Sequence, residues 1–393
     1  MDYLSYSKKY LMDTYGQLPI VFTHGKGCNL YDTENNEYLD FTSGIGVSSL
    51  GYGNEDWVKA VTDQVRTLAH TSNIFLNIPS LTLAKKLTEA CGMSKVFFCN
   101  SGAEANECAI KLARKYSYLK YGSGRETIIT LNKSFHGRTL TTLKATGQEK
   151  FHKYFGPFPD GFKYVDANIN SLKETIDTSV CAIMLEAIQG EGGVNPLSSD
   201  FINKVFEISR EKDILVIFDE VQCGMGRTGK IFGYKNYNVE PDIVSTAKGL
   251  AGGLPIGAVL CNEKLENTFV PGDHGSTFGG NLVSTAGANC VVDKLTSSGF
   301  LDEVSQKGLF IKQFFEKSNS KNIVEVRGIG LMVGIQIISD KASEVQKKVL
   351  EKGLLVLTAG PNVIRLLPPL VISKDELEFG LNILLDTINS ICD

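Results

Sequence analysis

The sequence predicts an α/β protein built on a large, doubly wound, mostly parallel sheet, with a small α+β lobe assembled from both ends of the chain. Three observations predict it. Short runs rich in Val and Ile, such as ILVIFD ending at Asp219 and DIVSTAK ending at Lys248, are bounded by Gly-rich turns, as are strands buried on both faces of a parallel sheet. From about residue 55 such runs alternate with helical patterns. At 393 residues the chain also has room for one large domain and smaller ones. The expected divisions are 1–50 for the first part of the small lobe, 51–290 for the large domain and 291–393 for the C-terminal small domain.

In chain order, THGKGCNLYDTENNEYLDFTSGIGV sets two short strand candidates around Glu34, Asn35 and Asn36, a hairpin signature of the N-terminal lobe. KVFFC at 95–99 reads as a strand, and NSGAEANECAIKLARKY as a turn into an amphipathic helix with Ser101 and Glu104 at capping-box spacing. A helix start of Ser, Gly and Ala also offers free backbone N–H groups to a phosphate. Residues 127–131 read as a strand, followed by NKSFHGRTL, where Phe135 and His136 read as ordinary core and loop residues. CAIMLE at 181–186 is a buried-strand run with Glu186 at its end, and HGSTFGGN at 274–281 is polar and Gly-rich enough to be a loop. Beyond about residue 290 the pattern predicts a long helix, a strand over 327–337, helix then strand in EVQKKVLEKGLLVL, and a strand in VIRLLPPLVI. Arg365 lies in that last apolar stretch, where an unpaired charge is costly. An ion pair that stabilises the lobe would account for it.

Composition narrows the function. With 21% charged residues and a net charge of -4, the chain has no basic excess for nucleic acid or an anionic membrane. MDYLSYSKKYLMDTYG lacks the apolar core of a signal peptide, and no run approaches the roughly 18 apolar residues of a membrane span, so a cytoplasmic protein is expected. The nine cysteines form no CxxC pair and read as reduced core residues. Five scattered histidines without HExxH argue against a metal site.

Ligands of parallel sheets bind at the carboxyl ends of the strands, so Asp219 and Lys248 would face one crevice. Taken singly, each reads as a cap or a solvated charge. Lys248, however, is followed by Gly249, Gly252, Gly253 and Gly257, which would let the backbone approach a bulky ligand. A semi-buried lysine can lose its proton and attack a carbonyl. An aspartate against a pyridine nitrogen keeps that nitrogen protonated.

With DEVQCGMGRTG around Asp219 and STAKGLAGGLPIGA around Lys248, the chain resembles the class III, ornithine-type aminotransferases, which are fold type I pyridoxal phosphate enzymes. The resemblance extends from about residue 18 onward. It implies pyridoxal 5'-phosphate as cofactor, with Lys248 and Asp219 as the catalytic pair. It further implies that Ser101, Gly102 and Ala103 hold the phosphate, that Phe135 and Val221 stack on opposite faces of the ring, and that Gln222 reaches the ring's 3-oxygen. Thr277 would reach the phosphate, and Ser276 the substrate, of a neighbouring chain in a homodimer with shared sites. Arg138 would hold a substrate carboxylate, Arg365 an α-carboxylate, and Glu186 would lie in the active site. Beyond the resemblance, a buried-looking Arg and a strand-end Glu suggest that Arg138 grips the distal carboxylate in both half-reactions and that Glu186 pairs with Arg365 while a terminal amine reacts. The chain departs from the family at Ala103, commonly Thr, at Ala187, commonly Pro, and at 51–55, commonly GHxHP.

The implied reaction is ping-pong, moving the δ-amino group of N2-acetylornithine to 2-oxoglutarate and giving N-acetylglutamate 5-semialdehyde and glutamate, a step of arginine biosynthesis. Residues 43–47 contain no Tyr of the kind that recognises a free α-amine, which favours an acylated donor. Ornithine, succinylornithine, succinyldiaminopimelate and 4-aminobutyrate are the alternative donors. A non-catalytic regulator that binds the same cofactor is the alternative of another class.

Overall fold

The computed structural model describes residues 2–392. Near its start, β1 (Phe22–Lys26), β2 (Asn29–Asp32) and β3 (Glu37–Asp40) form an antiparallel meander. The β2–β3 turn closes because Asp32 Oδ1 accepts from the backbone N–H groups of Glu34 and Asn36, while Asn35 takes a φ of 62°.

The middle of the chain contributes β4 (Lys95–Cys99), β5 (Thr127–Leu131), β6 (Phe162–Val165), β7 (Val180–Leu185), the short pair β8 (Ile188–Gln189) and β9 (Asn195–Pro196), then β10 (Leu215–Asp219), β11 (Ile243–Thr246) and β12 (Gly257–Cys261). Seven of them make one sheet in the order β4-β12-β11-β10-β7-β5-β6. The strands run parallel except β12, which is antiparallel to both β11 and β4. Every residue of β5, β7, β10, β11 and β12 is buried, which is why these strands read as continuous apolar runs without alternation. The parallel strands carry the residues that follow them to one edge of the sheet. Asn100, Glu186, Asp219 and Lys248 gather there.

Two expectations for the later part of the chain are corrected. The long helix is two, Leu282–Thr296 and Phe300–Ser318, separated at 297–299 where Gly299 takes a φ of 83°. The strand at 327–337 is a hairpin of β13 (Ile323–Ile329) and β14 (Met332–Ile337). Gly330 makes that turn at φ 57°, where a Cβ would lie 2.7 Å from the Arg227 carbonyl oxygen. β15 (Leu354–Leu355) then pairs in parallel with β3, whereas β16 (Leu357–Thr358) and β17 (Val363–Leu366) extend the sheet of β13 and β14. β17 stops short of Pro368, which has no N–H to give a ladder.

Arg227 ties these pieces together. It is 2% exposed, and its guanidinium donates to the Leu331 and Pro368 carbonyls and to Ser43 Oγ. Burial pushes its pKa down to about 9, with the charge of Asp40 opposing. All nine cysteines are free, seven of them buried. Among the described residues no helix is long and apolar enough to cross a membrane, and no group of three or more His, Cys, Asp or Glu is placed to hold a metal ion.

Candidate active site

A cavity of about 420 Å³ opens at the carboxyl edge of the large sheet. Asp219, the last residue of β10, is 3% exposed at its floor. Its carboxylate is fixed from three sides. Oδ2 accepts from Asn106 Nδ2 at 2.7 Å and from His136 Nδ1 at 2.8 Å, and Oδ1 accepts from the Val221 N–H at 3.0 Å. Asn106 also donates to the His136 carbonyl at 2.7 Å and accepts from Ser245 Oγ at 2.5 Å. The buried Nε2 of His136 has no hydrogen-bond partner among the described residues. His136, read from the sequence as an ordinary loop residue, is thus a direct neighbour of Asp219, and Asn106 was missed. The one signal for Asn106 in the sequence is an amide among Ala105, Cys108 and Ala109 on the buried face of its helix.

Lys248 follows β11 in a left-handed conformation, φ 41°, uncommon outside glycine and often found where a site holds its backbone under strain. Burial pulls its pKa below the ordinary lysine value. The carboxylates of Glu191, Asp219 and Glu186 oppose that shift, and Arg365 adds to it. A depressed lysine pKa raises the fraction of free amine available as nucleophile or base.

On the other side of the cavity, Ser101 caps the helix Gly102–Tyr121, its Oγ accepting from the Glu104 N–H at 3.2 Å. The Glu104 carboxylate reaches the N–H of Asn100 at 2.7 Å, so the capping box closes one residue earlier than the spacing implied. The first N–H groups of this 20-residue helix have no intrahelical partner and sit at its positive end. Gly102 is required there: a Cβ would lie 2.7 Å from Val221 Cγ1. With only hydrogen at that position, Val221 packs against the helix start, and both Val221 and Phe135 line the cavity.

Phe135 is held by its N–H, which donates to Glu186 Oε2 at 3.0 Å. Glu186 is 5% exposed, and burial first, then the charge of Asp219, raises its pKa well above the ordinary carboxylate value. The structure pairs Arg365, 3% exposed in β17, with Glu191 at 2.6 Å and with Gln222 Oε1 at 3.1 Å, which corrects the expected Glu186–Arg365 pairing. Burial alone would raise the pKa of Glu191, but the charge and hydrogen bond of Arg365 hold it below the usual value. Glu191 lies at the tip of the β8–β9 hairpin, between Gly190 and Gly192.

The structure brings Lys248, Asp219, Ser101, Gly102, Ala103, Phe135, Val221, Gln222, Glu186 and Arg138 around one cavity. Arg365 joins them through Gln222 and Glu191. Ser276 and Thr277 are outside the lining. Ser276 Oγ accepts from Asn100 at 3.0 Å, and Thr277 is exposed.

Residues 10–388 match the family described as Aminotransferase class-III, and the chain belongs to that family. An acetylornithine aminotransferase of Caldanaerobacter subterraneus subsp. tengcongensis is 50% identical to it over 99% of both chains. Among solved structures, the N-acetylornithine aminotransferase from Stenotrophomonas maltophilia K279a superposes with a TM-score of 0.85 at 36% identity, over 99% of each chain. The ornithine aminotransferase from Toxoplasma gondii ME49 superposes with a TM-score of 0.94 at 31% identity, over 99% of this chain and 94% of its own. Pyridoxal 5'-phosphate is the cofactor of the family. The cradle at Gly102, the fixed carboxylate of Asp219 and the low-pKa amine of Lys248 fit it.

Proposed function

We propose that this aminotransferase moves the δ-amino group of N2-acetylornithine to 2-oxoglutarate, giving N-acetylglutamate 5-semialdehyde and glutamate, as a cytoplasmic step of arginine biosynthesis. The observation that carries the reading is a pair of arginines in unlike states. Arg138 is open at the cavity mouth, and Arg365 is covered by Glu191. One site must take a donor whose carboxylate is several carbons from the reacting amine, then an acceptor whose carboxylate adjoins the reacting carbon. With Glu191 in place, Arg365 presents a neutralised pair to the terminal amine. The α-carboxylate of 2-oxoglutarate or glutamate displaces Glu191, and the flanking glycines let it leave.

Pyridoxal phosphate, when bound, supplies an electron sink for the carbanion at the amine-bearing carbon. Ser101 and the N–H groups of Gly102 and Ala103 would hold its phosphate, joined by the partner subunit's Thr277. Phe135 and Val221 would flank the ring, and Asp219 would keep its nitrogen protonated. Gln222 would turn from Arg365 to the ring's 3-oxygen. Lys248 Nζ, its pKa lowered by burial, would serve as the base that moves the proton at the amine-bearing carbon of the substrate.

A homodimer with shared sites fits the surface. Ile74, Phe75, Leu76 and Ile78 are 84%, 64%, 84% and 81% exposed, a run of apolar surface that calls for a cover. The Asn73 amide beside them donates to the Ser276 and Gly279 carbonyls, so this surface and the Ser276–Thr277 loop form one unit. The nine free cysteines support a reducing compartment.

The test is the half-reaction. Cofactor-loaded protein is mixed separately with N-acetylornithine, ornithine, succinylornithine and 4-aminobutyrate while the cofactor absorbance is followed. N-acetylornithine is expected to convert the cofactor fully and 2-oxoglutarate to restore it; conversion by 4-aminobutyrate alone would defeat the reading. Glu191→Gln should shift the ratio of rates toward the glutamate half-reaction by roughly tenfold or more, the scale of a lost charge-assisted hydrogen bond. An unchanged ratio would remove Glu191 from the exchange.

A further inference from the structure

Arg138 is the cation at the mouth of the cavity, yet among the described residues no carboxylate pairs with it. Two aromatic rings orient it. The guanidinium carbon lies 4.4 Å from the centroid of Phe151 and 5.4 Å from that of Phe135, and the two rings meet edge to face at 5.9 Å and 77°. Phe135 lines the cavity, whereas Phe151 stands outside the lining and is half-buried.

Phe151 is fixed in place by its neighbours in sequence. It ends the 3-10 turn Glu149–Phe151, and His152 Nε2 beside it bonds the Leu143 and Thr146 carbonyls at 2.8 and 2.9 Å. Gly147 N–H donates to Ser134 Oγ and Gln148 Nε2 to the Ser134 carbonyl, each at 3.0 Å. His136 N–H donates back to Thr146 Oγ at 2.9 Å. Residues 146–152 are therefore laced onto 134–136. Arg138 and the helix Leu140–Ala145 are enclosed in the loop between them.

We propose that Phe151 is a specificity-determining positioning residue, a platform that holds the Arg138 guanidinium in place for a distal carboxylate and so favours substrates that carry one. This rests on the reading that Arg138 takes that carboxylate. A ring suits the task better than an acid would. A carboxylate partner would have to be displaced by every substrate, as Glu191 is displaced from Arg365. A π-face attracts the cation yet leaves the in-plane N–H donors free for a bidentate grip. Lys150 Nζ, 4.8 Å from the centroid of the same ring, adds to the positive potential at this end of the cavity.

The experiment compares Phe151→Leu, Phe151→Tyr and Arg138→Ala as cofactor-loaded proteins. Leucine keeps the apolar bulk and removes the π-face. For Phe151→Leu, KM for both N-acetylornithine and 2-oxoglutarate is expected to rise roughly three- to fivefold, with kcat within about twofold of the parent. The dissociation constant of glutarate, measured by calorimetry without turnover, should rise by the same factor. Rates with pentylamine, which has no carboxylate, should be unchanged, and Phe151→Tyr should restore parental values throughout. Parental glutarate binding in Phe151→Leu, alongside clear loss in Arg138→Ala, would overturn the proposal. So would an equal loss with pentylamine, which would mark a purely structural role. Parental glutarate binding in Arg138→Ala would instead sink the underlying assignment of Arg138.

Discussion

Lys248→Ala is expected to lower turnover of N-acetylornithine with 2-oxoglutarate by roughly 10⁴-fold or more, because nucleophile and proton carrier are lost in one change. Every other group that would hold the cofactor is left in place: the Ser101–Ala103 helix start, the Phe135 and Val221 faces, and Asp219. The variant should therefore bind pyridoxal phosphate, but release it on gel filtration and no longer be covalently fixed to it by borohydride. A small exogenous amine should recover part of the lost rate, since it can do the proton work of Nζ in the space left open. A near-parental rate in the alanine variant would refute the central assignment. The left-handed backbone at residue 248 adds a further expectation. Alanine tolerates φ near 41° no better than lysine, so the variant should not be more stable than the parent.

Asp219→Ala should follow, with a loss of about 10²–10³-fold, the range for removing a fixed charge from where charge develops in a transition state. Three donors converge on this carboxylate, from Asn106, His136 and Val221. They hold it in place without solvent reorganisation when the reaction begins. If its task is to keep the pyridine nitrogen positive, a cofactor carrying a methyl group on that nitrogen should recover activity in Asp219→Ala and give no gain in the parent. Equal behaviour of the two cofactors in the variant would assign Asp219 to geometry alone.

The central strands were legible because burial on both faces writes an unbroken apolar run, and the charged residues that end β10 and enter after β11 stand out against it. The break at 297–299 was hidden, since the residues on both sides continue a helical pattern and a single glycine marks the turn. The hairpin at Gly330 was hidden for a different reason. What forbids a side chain there is the Arg227 carbonyl, from a segment remote in sequence. The site divides in the same way. Lys248, Asp219, Ser101 and Phe135 sit in motifs whose order carries information. His136, Asn106 and Glu191 take their meaning from what lies across from them. Glu186 directly follows β7 and Glu191 sits at the tip of the β8–β9 hairpin, and only the fold shows that the first bonds the Phe135 N–H and the second meets Arg365.

The parallel pairing of β3 with β15, and the Arg227 contacts to Ser43 and Pro368, join segments from opposite ends of the chain. During synthesis on the ribosome, the β1–β3 meander waits for β15 until all the strands of the large sheet have been made. The large sheet, whose strands all lie between residues 95 and 261, can form first, with the crevice edge exposed and Arg365 not yet translated. Late, long-range closure of this kind is slow, and the apolar surface that β15 and β17 will cover stays open to wrong partners in the interval. The residues of this chain that would hold its own cofactor all belong to this early part, and Arg365, which meets Glu191, is among the last side chains to reach the site.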